Sequence, residues 1–224
     1  ISSKIVRKRK IITDMKSMLR NLPFVYSTIF FSAVVGVSLS VNLTISEFLN
    51  PNGHHLIQVS NMGIIYTLVG TISALVYAEI LRKFKHLKLV ILVVGGTGFV
   101  SLMLLALSVV FDQIALSYLG IVLAGNSLMG FVPLGIHCGV EQTYPVEEGN
   151  SSQMIFLFAQ IWGFIISQIT SIHAVSRYGF FVMAAIIGCL TIGFVFTPIH
   201  LKKSKAVHRA SEIWHHSSSI KLDQ

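Results

Sequence analysis

Charge is scarce in this 224-residue chain: Asp, Glu, Lys and Arg make up 12% of it, about half the share of a soluble domain. With 53% apolar side chains, that shortage argues against a soluble enzyme and for a chain embedded in a membrane. Cysteine is nearly absent. Cys138 and Cys189 lie in apolar runs without CxxC or Cys/His spacing, so no disulfide framework, zinc site or other metal centre is indicated, and both thiols read as packing residues. Prolines number five. Pro23 stands at a helix start, where its missing N–H costs nothing. Pro51 breaks a loop with Gly53, Pro133 is expected to kink a span, and Pro198 ends the last one. An initiator Met and the apolar core of a signal peptide are also missing; Ile1, Ser2 and Ser3 lead straight into a basic stretch, as in a piece of something longer.

What is there is hydrophobic length. A helix needs about 20 apolar residues to cross hydrocarbon, and uncharged windows of that size are expected at Pro23–Ser46, Val59–Ala78, Leu89–Val110, Ile114–Cys138, Ser152–Val175 and Gly179–Ile199. Asp112 marks the short break between the third and fourth. The expected organisation is a basic segment over 1–22, a six-helix bundle over 23–200 and a partly disordered polar tail over 201–224. The net charge of +8 first suggests nucleic acid, but its distribution argues against that. With the N-terminus inside, all Lys and Arg except Arg177 fall on the cytoplasmic side, as translocation bias demands. Both ends are then cytoplasmic, in a multi-pass protein of the plasma membrane or of an organelle. The basic ends read as ordinary flanking charge or as contacts to anionic lipid.

Several six-span chemistries lack their residues. A potassium-type filter needs a carbonyl-presenting run such as TVGYG, and a water channel needs two Asn-Pro-Ala boxes, of which Asn50-Pro51-Asn52 is only a near match. Gly125-Asn126-Ser127 resembles the nucleophile segment of rhomboid-type serine proteases. Ser127 has no base to activate it: His137 is ten residues along the same helix, about 15 Å away, and the sixth span has no His before His200. The reading is therefore non-enzymatic. Half of a secondary transporter fits what remains, since such folds pair two bundles around a midplane site.

Two segments carry a family resemblance. Gly139-Val140-Glu141-Gln142-Thr143-Tyr144-Pro145-Val146-Glu147-Glu148-Gly149 resembles the E-x-T-Y-P-x-x-E-G stretch between helices ten and eleven of the feline leukaemia virus subgroup C receptor-related transporters, solute carrier family 49 of the major facilitator superfamily. Ala159-Gln160-Ile161-Trp162-Gly163 is similar to that family's A-Q-x-x-G on helix eleven. A weaker third match, Gly70 with Glu79, Arg82, Lys83, Phe84 and Lys85, resembles the acidic-then-basic motif that ends helix eight in many major facilitators. The resemblance implies an all-α membrane protein whose six transmembrane helices are helices seven to twelve. It further implies transport of a small organic solute (a choline-like cation, haem or a vitamin-like compound) by alternating access, with an N-terminal six-helix half as partner and no cofactor. The alternative, should the chain be complete, is a non-transporting scaffold or receptor-like protein.

By that resemblance Gln160 faces the solute and is the leading candidate; the alternative is an amide that only bonds a neighbouring helix. Gln168, at i+8, extends the same face, and Asn126 is a further candidate for solute contact. Glu141 and His137, at i and i+4, are expected to face one direction near the cytoplasmic end, either sensing protons and attracting a cation or holding the helix end. Glu79, Arg82 and Lys83 form charge contacts that favour one conformer, or else a solvated loop. One departure is notable: choline-transporting members place a cation–π aromatic on helix seven, and Gly36-Val37-Ser38-Leu39-Ser40 has none. The facing half then supplies the cage, or the solute differs.

Overall fold

Apolar runs with few interior prolines satisfy their backbone donors and acceptors within the helix, the condition for crossing hydrocarbon. The computed structural model describes residues 13–49, 56–83, 87–144, 146–172 and 178–196, and no strand occurs among them. After a helical segment at 13–19, the elements are α1 (Leu22–Leu49), α2 (Leu56–Lys83), α3 (Leu87–Phe111), α4 (Ile114–Leu128), α5 (Phe131–Thr143), α6 (Glu148–Thr170) and α7 (Gly179–Phe196). Five stretches are long and apolar enough to span a membrane, Ile114–Thr143 counting as one, and Gly179–Phe194 is a shorter apolar helix. This is an all-α, multi-pass membrane bundle. The basic residues before Thr13, Pro51, Gly53, Lys85, Pro145, His173, Arg177, Pro198, His200 and the 201–224 tail lie outside the described residues.

Three spans differ most from their expected bounds. α2 runs on to Lys83 instead of ending at Ala78, because nothing in Glu79-Ile80-Leu81-Arg82-Lys83 breaks a helix and the charges pair along it. α6 starts at Glu148 rather than Ser152 and stops at Thr170 rather than Val175. Its first-turn carboxylate suits the positive end of the helix dipole.

The fourth span is the larger correction. In place of one helix kinked at Pro133 and ending at Cys138, it divides into α4 and α5 at Met129-Gly130 and continues to Thr143. Pro133 is four residues past Met129, so it cannot donate to the Met129 carbonyl, and its ring would clash there. Val132 N–H takes that carbonyl instead at 3.2 Å, one residue tighter than an α-helix.

Between α3 and α4 the chain reverses in two residues. Asp112 adopts a left-handed φ of 54°, tolerated by Asp better than by most residues, and Gln113 N–H reaches back to the Ser108 carbonyl at 3.2 Å, the six-to-one bond of a Schellman cap.

α1 is the central helix, buried from Phe30 to Val41 except for half-buried Leu39. Near the basic end its Phe30 and Phe31 meet Phe131 of α5 and Phe194 of α7, with Phe30 stacked on Phe194 at 4.2 Å between centroids and Phe31 edge-on to Phe194 at 5.5 Å. Further along, α1 and α6 touch backbone to backbone. A Cβ at Gly36 would lie 2.7 Å from Trp162 Cβ and 2.9 Å from Gly163 N. The Ser40 hydroxyl donates to the Gly163 carbonyl at 2.9 Å, shared with the Gly36 carbonyl of its own helix. Gly36 and Ser40 on one side, Ala159 and Gly163 on the other, form the small-xxx-small pattern through which membrane helices gain van der Waals contact.

Candidate functional site

The same contact decides what α6 displays. Ile155, Ala159, Gly163, Ile166 and Thr170 are buried; at about 100° per residue Gln168 lies opposite them and Gln153 and Gln160 about a third of a turn round, and all three are exposed. None of the three side chains makes a hydrogen bond among the described residues. Exposed apolar side chains stand around them: Phe156, Leu157, Ile161, Phe164, Ile165 and Ile169. The A-Q-x-x-G pattern thus has a geometric reading: Ala159 and Gly163 press α6 onto α1, and Gln160 is held on the uncovered side.

Other uncovered faces differ in chemistry. α3 exposes Leu89, Leu92, Val93, Phe99 and Val100, and α7 exposes Ala185, Cys189 and Ile192; Thr97, exposed on α3, is satisfied by the Val93 and Val94 carbonyls at 3.1 and 2.9 Å. Thr67 and Thr71 on the exposed side of α2 likewise donate to their own helix at 3.0 and 2.8 Å. Hydroxyls satisfied this way tolerate lipid. A primary amide cannot close on its own helix so readily, and an unpaired one in hydrocarbon costs about 2–7 kcal/mol. The α6 face thus carries three amides with no such bond among exposed apolar side chains, whereas the α3–α7 face is suited to lipid.

Asn126 is placed differently. Ser73 Oγ donates to its Oδ1 at 2.7 Å, and its Nδ2 points to the Tyr77 hydroxyl at 3.5 Å, so this half-buried amide ties α4 to α2. Its hydrogen bonds run to α2, away from the α6 stripe. Neighbouring Ser127 is fully buried and donates to the Leu123 carbonyl at 2.8 Å, the posture of a packing hydroxyl.

At the far end of α5, His137 is exposed and Glu141 is buried at 8% exposure; the expected common direction of the pair resolves into two environments. His137 lines an open groove of about 320 Å³ with Arg82, Pro133, Val140 and Glu148. Glu79 pairs with Arg82 at 3.2 Å and Lys83 at 3.5 Å. These contacts are exposed and helical, worth roughly 0.3–0.5 kcal/mol each. The stretch Gly36–Ser40 faces α6 and α2, where the Ser38 and Tyr66 hydroxyls meet at 2.7 Å, and only Leu39 is even half-exposed.

Residues not singled out from the sequence complete this end. Gln142 is buried at 1% exposure; its Nε2 donates to Ser27 Oγ at 2.8 Å, and Asn21 Nδ2 donates to its backbone carbonyl at 3.0 Å. Asn150 of α6 donates to Asp14 at 3.1 Å. Gln153 was readable from its spacing of seven to Gln160; Gln142 offered only its place in the motif stretch. Among the described residues no cluster of His, Cys, Asp and Glu could hold a metal ion.

The fold defines an integral, multi-pass membrane protein built as an all-α helical bundle. The chain's homologues are major facilitator-type transporters and members of solute carrier family 49, matching the resemblance carried by the motifs. It is 26% identical over 197 residues to an uncharacterized MFS-type transporter of Caenorhabditis elegans, covering 86% of this chain and 33% of that protein. It is 22% identical over 201 residues to a choline/ethanolamine transporter of Danio rerio, at 86% and 42%. To solute carrier family 49 member A3 of Xenopus tropicalis it is 27% identical over 157 residues, at 69% and 32%. No protein-family model matches the chain. The chain spans between a third and a half of the first two relatives.

Proposed function

We propose that this chain is the C-terminal six-helix half of a major facilitator that moves a small organic cation, of the choline or ethanolamine class, by alternating access. The amide stripe on α6 carries the reading: three uncovered glutamines on a helix whose other side is locked to α1 call for a polar cavity, closed by a facing N-terminal half. In this arrangement the Gln160 carbonyl oxygen faces the cation or its hydroxyl, and Gln168 continues the wall outward. Asn126, bonded to Ser73 and Tyr77, contacts solute only when those bonds exchange during the cycle. His137 and Glu141, with Glu79, Arg82 and Lys83, act at the cytoplasmic mouth, stabilising one conformer. Residues 1–22 are then the end of the central cytoplasmic loop, 23–200 the bundle and 201–224 a cytoplasmic tail. Because Gly36–Ser40 is packed against α6 and α2, an aromatic cage for a quaternary ammonium comes from the facing half. The names of the relatives support the solute class.

Uptake of radiolabelled choline and ethanolamine by the full-length protein tests this. Gln160→Ala should raise KM about tenfold, the worth of one hydrogen bond to a charged group at about 1.4 kcal/mol, with unchanged surface expression. An unaltered KM and maximal rate would remove Gln160 from the site.

A further inference from the structure

On the opposite side of the bundle, α3 and α7 are in close contact at one level and part at another. At Gly95 they touch, since a Cβ there would lie 2.5 Å from Thr191 Oγ1. Toward the start of α3 a groove of about 190 Å³ opens between them, lined by Lys88, Leu89, Ile91, Leu92, Thr191 and Phe194. Its floor is Ile91 and Phe194, both buried, and its walls are Leu89 and Leu92, exposed at 62% and 49%. On α3 the lining runs from Lys88 to Leu92, four residues, so the groove extends about 6 Å along the helix. Its single charged lining residue is Lys88, at the outer end.

The charge at the mouth is positive: Lys88 makes no ion pair among the described residues. An apolar slot on a lipid-suited face, ending at an unpaired ammonium at the level where the helix leaves the membrane, matches one amphiphile in both its parts. We propose that this groove binds an anionic phospholipid from the leaflet on the basic side of the bundle, its acyl chain in the slot and its headgroup phosphate and carboxylate on Lys88. The site is remote from the α6 amide stripe in chemistry and in face.

Native mass spectrometry of the full-length protein in detergent, titrated with phosphatidylserine or with phosphatidylcholine, tests the proposal. The wild type should retain phosphatidylserine in preference. Each Lys or Arg near an anionic headgroup is worth about 1 kcal/mol, so the charge reversal Lys88→Glu should lower phosphatidylserine occupancy at least about tenfold while leaving phosphatidylcholine unchanged. Leu92→Trp, which fills the slot from its exposed wall, should reduce both lipids. Lys16→Glu makes the same charge change on an exposed residue away from the groove and should alter neither. Equal retention of the two lipids by the wild type would overturn the site. So would an unaffected preference in Lys88→Glu, or a loss in Lys16→Glu as large as that in Lys88→Glu.

Discussion

The α1–α6 contact allows a quantitative comparison of two glycines that face each other. At Gly36 an added methyl meets Trp162 Cβ at 2.7 Å and the Gly163 backbone nitrogen at 2.9 Å. Neither is the end of a flexible side chain, so the helices must part by roughly 0.7 Å to restore contact at about 3.4 Å. At Gly163 the same methyl meets Leu39 Cβ at 3.3 Å and the Gly36 carbonyl at 3.4 Å, which a shift of a tenth or two accommodates. Parting the helices forfeits dispersion along the seam and stretches the Ser40–Gly163 bond. Overpacking of this kind costs about 1–3 kcal/mol, and an interhelical hydrogen bond in a membrane adds roughly 0.6 kcal/mol. Gly36→Ala should therefore destabilise the full-length protein by about 2–3 kcal/mol, and Gly163→Ala by less than about 1 kcal/mol. Thermal unfolding in detergent, followed by fluorescence-detected size exclusion, measures the difference. If Gly163→Ala were the more damaging, or both were silent, the backbone-to-backbone contact would be wrong. Gln160 would then lose the geometry that holds it outward.

Other outcomes follow from single interactions. Ser73→Ala removes the donor to Asn126 Oδ1 and should lower stability by about 0.6 kcal/mol, with Asn126→Ala adding little in the double mutant; additive losses in the same unfolding assay would show the two are not coupled. Pro133→Ala restores the N–H that lets α4 and α5 join through the Met129 carbonyl, so it should stabilise the fold while slowing uptake; an unchanged transport rate would exclude a working role for the break. Glu79→Gln releases Arg82 and Lys83, yet the pairs are exposed, so the loss should stay below about 1 kcal/mol and diminish in high salt; a larger, salt-insensitive loss would mean that Glu79 is bound elsewhere in the folded protein.

Span count and the break at Asp112 are properties of composition and local sequence, because hydrocarbon admits only segments that satisfy their own backbone. Pro133 likewise announced a defect in the fourth span. Reading its consequence as a kink rather than a division at Met129-Gly130 underestimated the ring's clash with the carbonyl four residues back. The Gln160–Gln168 spacing was legible as one face of one helix. Which face, and whether it was covered, was decided by Gly36 and Ser40, more than a hundred residues away, since only their lack of bulk brings α1 into backbone contact with Ala159 and Gly163. Asn126 shows the converse. Its side chain is as polar as that of Gln160, and only the placement of Ser73 and Tyr77 on α2 turned it into an interhelical tie. Periodicity states which residues share a helix face; the long-range packing of small residues determines which faces are left for lipid and which for a polar cavity.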